Sequence, residues 1–411
     1  MIPCGHVRSV VGVQKRKVLI CIMLKLMVVT TGRADYGLLY PLLNKLKQSD
    51  KITFRLIVTG SHFSSKHGNT YKIIERDGFT INHQIPIEQK EDTQKEVCSS
   101  IADSIVAYAK IFESYSTDGM ILLGDRYELM AAGTAAMIYN VPIIHIHGGE
   151  ATFGCIDDTI RHTITKMASL HFTSIPEYAR RVIQLGEHPD KVFVVGAIGI
   201  DNIVSLDLMS KDELHKSTGV DFNKDVAMMT FHPVTRDESK DAENQIKKVL
   251  NSIIQQDFTT LITMPNTDPG GSLIYDIIMD YRKKYKDKIV FTENLGQVRY
   301  LSALQHSKLM IGNSSSGILE SASFKIPVVN IGDRQKGRVQ PANILNCECN
   351  TKDINVAIKL AVSSEFATTL EGLVNLYGEG HAAERIIKIL ENIDYSDKST
   401  YVKKGFYDLP L

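Results

Sequence analysis

Short apolar runs alternate with longer segments of helical periodicity along most of the chain. Two of the runs, MILL at 120–123 and VPIIHI at 141–146, have the length and composition of buried parallel strands. The alanine-rich segment 128–139 between them predicts a crossover helix. Further strands are predicted at 24–29, 54–59, 170–173 and 192–195, and further helices at 38–47, 66–77, 92–115 and 176–185. Strand alternating with helix predicts a doubly wound parallel sheet.

The alternation starts again beyond a predicted domain boundary near residues 196–208. Strands are predicted at 225–231, 259–264, 288–291, 309–311 and 327–331, and helices at 237–256, 272–286, 297–306, 317–323 and 353–363. We therefore expect an α/β chain of two Rossmann-like domains, residues 23–200 and 201–380, with a cleft between them where a ligand could bind. A helix at 381–393 is expected to pack back on one of the two halves.

The amino-terminal segment resembles the start of a signal peptide, because a basic stretch precedes the apolar run VLICIMLKLMVV at 18–29. However, Lys25 interrupts the run, no small-residue cleavage site follows, and the run is too short to span a bilayer. We interpret its second part as the first buried strand. Residues 1–22 are then expected to be a disordered extension or the product of an upstream start codon, since Met23 could begin the strand.

Charge and cysteine content exclude several classes of function. The 411 residues contain 47 Lys and Arg against 47 Asp and Glu, so bulk charge favours neither nucleic acid nor a membrane surface as a partner. The six cysteines form no CxxC pair, which indicates a reduced, cytoplasmic chain. A local basic site for an anionic small molecule remains compatible with this composition.

Polar side chains gather where the two central strands of the first half end. Because ligands of open α/β sheets bind at the carboxyl edge of the strands, we interpret this stretch as an active site. A set of carboxylates and imidazoles suits acid–base chemistry. The candidate catalytic residues are Asp125, His147, Glu150, Asp157, Asp158 and Arg161.

A metal site is the alternative interpretation of this stretch. His145 and His147 would share one face of a strand and could bind a metal together. No HExxH spacing is present, and His145 lies inside the apolar run, where a structural histidine is the simpler interpretation. We predict neither a metal nor a cofactor.

Three loops that follow predicted strands have the composition of anion sites. TTGRADYG at 30–37 and GNSSSG at 312–317 each open onto a helix, whose free N–H groups favour phosphate. Glu320 is expected in the first turn of the second of these helices, where it could accept hydrogen bonds from ribose. GDRQKGR at 332–338 could bind a diphosphate or act as a lid. The alternatives are a turn capped by Asp35 in the first loop and a solvated charge run in the third, which is the preferred interpretation for Lys336.

Taken in order, the motifs resemble the hydrolysing UDP-N-acetylglucosamine 2-epimerases of bacterial sialic-acid pathways and the epimerase half of the animal bifunctional enzyme. The resemblance spans residues 23–393 and rests on TTGRADYG, GDRYE, HIHGGE, IDDTIRHTITK, FHPVT, PNTDPG, GNSSSGILE and GDRQKGR. It implies a GT-B-like pair of domains, with UDP held mainly by the second. The residues it places at the nucleotide are Arg33, Arg126, His232, Asn266, Ser314, Ser315, Glu320 and Arg334, and those at the sugar are Asp125, His147, Asp157 and Arg161.

The resemblance also implies the reaction. Loss of UDP and of the proton on carbon 2 would give a glycal, and addition of water with a proton from the other face would give the free 2-epimer. Asp125 and Asp157 are our predicted acid–base pair, assisted by His147. The non-hydrolysing relatives have glutamate in the position of His147, so HIHGGE indicates the hydrolysing branch.

The sugar and some alternatives stay open. The loop 151–154 looks one residue longer than in the sialic-acid members. UDP-N-acetylglucosamine and UDP- or GDP-linked N,N′-diacetylbacillosamine, upstream of legionaminic acid, are therefore both candidate substrates. A non-hydrolysing epimerase, a GT-B glycosyltransferase and a catalytically inactive nucleotide-sugar-binding protein are the alternative functions. A homodimer is the expected assembly.

Overall fold

The computed structural model describes residues 23–65, 68–87, 93–152, 156–233, 239–264, 271–393 and 399–409. The first part of the chain contains seven strands: β1 (Leu24–Thr30), β2 (Ile52–Gly60), β3 (Ile81–Pro86), β4 (Gly119–Leu123), β5 (Ile143–Ile146), β6 (Leu170–Thr173) and β7 (Val192–Val194). They form one parallel sheet in the order β3-β2-β1-β4-β5-β6-β7.

Helices connect these strands, because a parallel pair needs a crossover connection. They are α1 (Arg33–Gln48), α2 (Tyr71–Arg76), α3 (Gln94–Ser114), α4 (Glu128–Ile138), α5 (Ile156–Met167), α6 (Pro176–Gln184) and α7 (Ile200–Ser205). Short 3₁₀ turns occupy Ser61–Phe63 and Pro189–Lys191.

The second sheet has six parallel strands: β8 (Val226–Thr230), β9 (Thr259–Thr263), β10 (Ile289–Thr292), β11 (Leu309–Gly312), β12 (Val328–Ile331) and β13 (Ile344–Cys347). Their order is β10-β9-β8-β11-β12-β13, the doubly wound arrangement of a dinucleotide-binding fold. The accompanying helices are α8 (Lys211–Thr218), α9 (Ser239–Ile253), α10 (Gly271–Lys284), α11 (Gly296–His306), α12 (Ser315–Leu319), α13 (Thr351–Ala361) and α14 (Ser364–Thr369). The predicted α/β class with two Rossmann-like sheets is confirmed.

The structure corrects the predicted elements at the sheet edges and in two helices. The edge strands β3 and β13 were not predicted, because their residues are only partly buried and lack a continuous apolar run. The predicted helix 66–77 is shorter and covers only α2. The predicted helix 317–323 begins earlier, at Ser315, and gives way to a 3₁₀ turn at Ser321–Phe324, so Glu320 lies at the carboxyl end of α12 and not in its first turn.

The end of the described chain returns to the first sheet. Helix α15 (Ala382–Asn392) buries Ile386 and Leu390 in the same core as Leu39 and Leu43 of α1. Beyond it, a segment at 399–409 that begins with α16 (Ser399–Val402) contacts the same half. There Lys404 Nζ donates to Glu187 Oε2 at 2.7 Å and the Tyr407 amide donates to the Gly186 carbonyl at 2.9 Å.

The division between the two halves stays a proposal. We propose that it runs through residues 196–208, because α7 still contacts the first half, with Asn202 Nδ2 donating to the Gly37 carbonyl at 3.0 Å. Leu214 of α8 is already buried in a core of the second half. No helix of the described residues combines the length and the hydropathy needed to cross a membrane.

Candidate active site

The predicted site residues within the described ranges lie at the carboxyl edges of both sheets, around the points where the strand order reverses. In the first sheet this point separates β1 from β4, and in the second it separates β8 from β11. The two edges face each other at close range. A Cβ added to Gly337 would lie 3.3 Å from Ala151 Cβ, and one added to Gly199 would lie 3.6 Å from Glu320 Oε1.

The loop between β1 and α1 holds an accessible arginine. Asp35 folds back to accept from the Thr31 amide at 2.7 Å and from Thr30 Oγ1 at 3.0 Å, so it stabilises the turn as the alternative interpretation required. The side chain of Arg33, at the first position of α1, has no hydrogen bond or ion pair with any described residue. Partial burial of the Arg33 guanidinium and, after it, the charge of the nearby Arg299 lower the pKa of Arg33. An arginine that faces another arginine without a carboxylate favours an anionic ligand.

Arg161 of α5 joins several of the predicted catalytic residues. Its Nη2 donates to Asp125 Oδ2 and, at 3.0 Å, to Thr152 Oγ1, while Nη1 lies 3.5 Å from Asp158 Oδ1. The Arg161 side chain is only 2% exposed, so these acceptors replace its hydration. Asp158 Oδ1 also accepts from the Thr152 amide at 2.7 Å, which ties α5 to the loop before it.

Two further predicted residues occupy this edge in different ways. Arg126 donates twice to the buried carboxylate of Glu128, with both distances at 3.1 Å, so its charge is compensated within the protein. Asp157 is half-buried in the first turn of α5. We call the residues from Gly124 to Arg161 that follow β4 and β5 the carboxylate edge.

His145 and His147 do not share a strand face, contrary to our expectation. Strand β5 ends at Ile146, and His147 has a φ of 66°, the left-handed region that side chains other than glycine rarely adopt. The ring of His145 is fully buried between the Gly124 carbonyl at 2.8 Å and Thr165 Oγ1 at 3.1 Å. Burial lowers the pKa of His145 to about 3, so it is a neutral structural residue.

His147 and Glu150 form a buried pair with an arginine from the other half. His147 Nδ1 lies 3.0 Å from Glu150 Oε1, and Arg338 Nη1 donates to Glu150 Oε2 at 2.6 Å. Burial alone would raise the pKa of Glu150, but Arg338 and then His147 outweigh it, and the pKa is lowered to about 2. Glu150 is therefore an anion at neutral pH. Arg338, which the sequence suggested for a diphosphate or a lid, is committed to this pair.

In the second half, the ends of β8 and β11 are fastened by an asparagine. Asn313 accepts from the His232 amide at 2.7 Å and donates to the His232 carbonyl at 2.8 Å. The Asn313 carbonyl in turn accepts from Arg334 Nη1 at 3.2 Å and from Gln335 Nε2 at 2.8 Å. Arg334 forms no ion pair with a described carboxylate. Burial and, after it, the charge of Arg334 lower the pKa of His232, so this histidine is neutral.

The serine-rich turn continues this edge. Ser314 caps α12, accepting from the Ser316 amide at 3.4 Å, and Ser315 is the first helical residue. Ser316 accepts from Tyr300 at 2.6 Å and donates to Glu320. Burial without a cation raises the pKa of Glu320 to about 7. We call His232, residues 313–320 and Arg334 the serine edge.

The two edges converge on one region. Burial, Arg338 and, among other charges, Arg334 lower the pKa of Arg161, so arginines of the second half act electrostatically on the arginine that pairs with Asp125. The structure thus brings Asp125, Asp158, Arg161, Arg334 and the Ser314 turn together. Asn266 lies outside the described residues. Within the described ranges, no cluster of three His, Cys, Asp or Glu side chains is arranged to hold a metal ion.

Sequence reasoning missed three contributors to this region. Thr152 and Arg299 carry no motif of their own, and only their contacts in three dimensions identify them. Arg338 was visible as one of three cations in a loop, but its partner lies 188 residues away in the chain.

Comparison with known proteins identifies the family of this chain. The family model described as UDP-N-acetylglucosamine 2-epimerase matches residues 44–391. The chain is 37% identical over 387 residues to the GDP/UDP-N,N′-diacetylbacillosamine 2-epimerase (hydrolyzing) of Campylobacter jejuni, covering 94% of this chain and 99% of that protein. It is 33% identical to the UDP-N,N′-diacetylbacillosamine 2-epimerase (hydrolyzing) of Legionella pneumophila, covering 90% and 96%.

Solved structures agree on the fold. The UDP-GlcNAc 2-epimerase from Neisseria meningitidis bound to UDP-GlcNAc superposes with a TM-score of 0.76 at 17% identity, covering 89% of this chain and 99% of that one. Because the family model covers most of the chain and the two sequence relatives match it nearly end to end, the chain belongs to the UDP-N-acetylglucosamine 2-epimerase family.

Proposed function

We propose that this protein is a hydrolysing nucleotide-sugar 2-epimerase, which converts a UDP-linked 2-acetamido sugar and water into UDP and the free 2-epimeric sugar. The observation that carries the proposal is the pairing of unlike edges. Asp125 and its neighbours offer acids and bases, and across from them Arg334 offers a cation that pairs with no described carboxylate, beside the N–H groups of the Ser314 turn. Arg33 provides a second uncompensated cation.

The chemistry requires both edges at once. The hydrogen on carbon 2 of the sugar has no adjacent carbonyl, so a carboxylate cannot remove it unaided. When the bond from carbon 1 to the diphosphate oxygen breaks, its electron pair leaves with UDP and positive charge develops at carbon 1. That charge acidifies the neighbouring hydrogen. Cations and helix N–H groups that stabilise the departing diphosphate are therefore as important as the base.

Elimination followed by hydration completes the reaction. A base on the carboxylate edge takes the proton from carbon 2, and the electron pair forms the double bond of a glycal. A proton then adds to carbon 2 from the opposite face, and the hydroxyl of water adds to carbon 1 while its other proton passes to a base. We assign Asp125 and Asp157 as the acid–base pair, with His147 assisting and with Asp158 and Arg161 holding the first of them in place.

The nucleotide would lie on the serine edge. Ser314, Ser315, Arg33 and Arg334 are our assignments for the diphosphate, Glu320 for the ribose hydroxyls, and His232, Asn266 and Arg126 for further nucleotide contacts. Glu320 suits its role because it has no cation and can accept from two hydroxyls once ionised. No metal or redox cofactor has a step in this scheme.

The names of the relatives guide the choice of sugar. Two hydrolysing relatives are named for N,N′-diacetylbacillosamine, and a third, 35% identical and from Escherichia coli, is named polysialic acid biosynthesis protein P7. We therefore favour UDP-N,N′-diacetylbacillosamine, with UDP-N-acetylglucosamine as the second candidate substrate. The free sugar released by the reaction would enter legionaminic-acid or sialic-acid synthesis in the cytoplasm. We also propose that the protein is a homodimer, which light scattering tests.

The decisive experiment incubates the protein with each nucleotide sugar separately. Phosphorus NMR should show free UDP accumulating, and the released sugar should be the 2-epimer of the substrate. An intact epimerised nucleotide sugar would instead establish a non-hydrolysing epimerase. Binding of UDP without turnover of either sugar would leave a nucleotide-sugar-binding protein.

A further inference from the structure

Arg338, in the second half of the chain, is buried against the carboxylate edge of the first half. The Arg338 side chain is 6% exposed and the Glu150 side chain 3%, and the two are joined at 2.6 Å. The backbone that follows Arg338 is held on both sides of Val339. The Val339 amide donates to Tyr178 Oη at 3.1 Å, and the Val339 carbonyl accepts from Tyr377 Oη at 2.7 Å.

Glu150 uses its other oxygen to fix the ring of His147. Oε1 lies 3.0 Å from His147 Nδ1 and accepts from Ser174 Oγ at 3.3 Å. On the opposite side of the ring, the Ile198 amide lies 3.3 Å from His147 Nε2. A backbone N–H can only donate, so Nε2 carries a lone pair and the ring proton is on Nδ1. An ionised Glu150 is the acceptor that this tautomer needs.

The same loop also reaches the serine edge. Four residues before Arg338, Arg334 donates to the Asn313 carbonyl, and Gln335 donates to the same oxygen. Asn313 directly precedes the Ser314 turn. One loop therefore connects the proposed diphosphate site to the ring of His147. Lys336, in the middle of the loop, is 62% exposed and its amine is 3.7 Å from Asp333, so it provides a matched cation outside this connection.

We propose that Arg338 is a positioning residue for the reaction: by holding Glu150 as an anion against Nδ1, it fixes the tautomer and orientation of His147, whose Nε2 can receive a proton once its contact with the Ile198 amide opens. The inference rests on the proposed function for its catalytic consequence, but the tautomer itself can be measured without turnover. Because Arg338 belongs to the nucleotide-binding half, the base of one half is set by a residue of the other.

The test compares Arg338→Met with Arg338→Lys and with the control Lys336→Met. We expect Arg338→Met to lower kcat about 100-fold, since small misplacements of catalytic groups have effects of that order, while KM and the Kd of UDP change by less than about threefold. Arg338→Lys should recover about tenfold of this loss, because it restores the charge but not the geometry of the guanidinium. Lys336→Met should match the wild type in all three quantities.

The second measurement is nitrogen NMR of histidine rings in the unliganded protein, with the His147 signals assigned by their loss in His147→Asn. The wild type should show His147 with its proton on Nδ1. Arg338→Met should shift these signals or broaden them by tautomer exchange, and Lys336→Met should not. If Arg338→Met does not fold because it leaves Glu150 as a lone buried charge, the double variant Glu150→Met with Arg338→Met removes both charges and the acceptor for Nδ1. Its His147 signals should be altered in the same way.

Several results would overturn the proposal. One is an unchanged His147 tautomer in Arg338→Met or in the double variant. Another is a loss confined to KM and the Kd of UDP, which would make Arg338 a phosphate ligand. A wild-type protein that turns over neither sugar would refute the proposed function, whereas the NMR comparison would still decide whether Arg338 controls His147.

Discussion

The carboxylate edge and the serine edge are built at equivalent points of two similar sheets, yet they handle charge in opposite ways. At the carboxylate edge, the carboxylates form ion pairs with Arg126, Arg161 and, from the other half, Arg338. Glu150 is ionised, with its pKa lowered to about 2. At the serine edge, Arg334 donates to a carbonyl. Glu320 accepts from a hydroxyl, has no ion pair with a described cation, and has its pKa raised to about 7.

This difference separates two tasks. Paired charges are held in place before the substrate arrives, which suits groups that must move protons at fixed positions. Cations that pair with no described carboxylate, and a carboxyl that burial destabilises as an anion, can gain partners from a ligand that supplies phosphate and hydroxyl groups. The same fold can therefore present to one molecule a carboxylate edge whose charges are already paired and a serine edge whose charges await a ligand.

The strongest test of the carboxylate edge is Asp125→Asn. It removes the anion that faces Arg161 and the proposed acid–base function, so kcat should fall about 10³-fold, within the range usual for general acid–base residues. The Kd of UDP should stay within about threefold, because we assign the nucleotide to the other edge. Steady-state kinetics and calorimetric titration with UDP measure the two quantities.

The control for this variant is Glu177→Gln, which breaks an exposed carboxylate–arginine pair with Arg180 on α6. It should leave kcat unchanged, since exposed pairs contribute little. A loss of UDP affinity in Asp125→Asn that equals the loss of kcat would contradict the separation of tasks.

The next effect in size is expected for His147→Asn. Asparagine tolerates the left-handed backbone of this position better than most residues, so the fold should be retained. We expect kcat to fall about 100-fold through loss of the assisting imidazole, a typical contribution of proton transfer. The exposed His188, replaced in the same way, is the control. Retention of more than about a third of kcat would remove His147 from the mechanism.

The contrast between Glu150 and Glu320 predicts opposite dependences of stability on pH. Glu320 ionises near pH 7 in the folded protein but near its ordinary value of 4.5 when unfolded, so its contribution to stability is full at low pH and is lost as the pH rises through about 7. Glu320→Gln should therefore gain on the order of 2 kcal/mol over the wild type between about pH 4.5 and pH 8. Urea unfolding at a series of pH values measures this difference.

Glu150 should behave in the reverse sense in the same experiment. Its pKa is lowered, so the stability it provides is present above its unfolded value of 4.5 and is lost as the pH falls toward about 2. Glu150→Gln should be less stable than the wild type at neutral pH, and the gap should narrow in acid. Equal pH slopes for the two variants would show that the edges do not differ in charge compensation.

The smallest effect concerns the contact between the edges. Gly337 has a φ of 84° and leaves only 3.3 Å between an added Cβ and Ala151. Gly337→Ala should cost about 1 kcal/mol of stability from the left-handed backbone and lower kcat by a few-fold through displacement of Arg338. Gly332→Ala is the matched control, because its φ is 73° but nothing lies within 4 Å of its added Cβ. Equal kcat values for the two variants would exclude an effect of the contact.

The sequence predicted the interior of both sheets better than their margins. Runs such as 120–123 and 309–311 are apolar on every position because helices cover both faces of the sheet, and this leaves a clear pattern. β3 and β13 are bordered on one side only, so part of each strand remains polar. Glu320 was misplaced because the helix pattern does not distinguish a five-residue helix from the 3₁₀ turn that follows it.

For the site, residue types were easier to predict than partners. The position after a strand indicated that Asp125, His147 and Arg334 lie near the cleft. Whether an arginine there is compensated depends on residues far along the chain: Arg126 meets Glu128 locally, but Arg338 meets Glu150 through the tertiary fold. The roles of the three cations in GDRQKGR could therefore be assigned only after the structure showed which group each of them contacts.

The return of α15 to the first sheet means that the polypeptide passes between the halves twice, once through residues 196–208 and again ahead of α15. A single tether would let one half swivel about the other, but two tethers confine rigid-body rotation to a hinge line that passes near both. Opening of the crevice would then part the far ends of the two edges most and the tethered side least. Product release would proceed from the rim opposite the tethers.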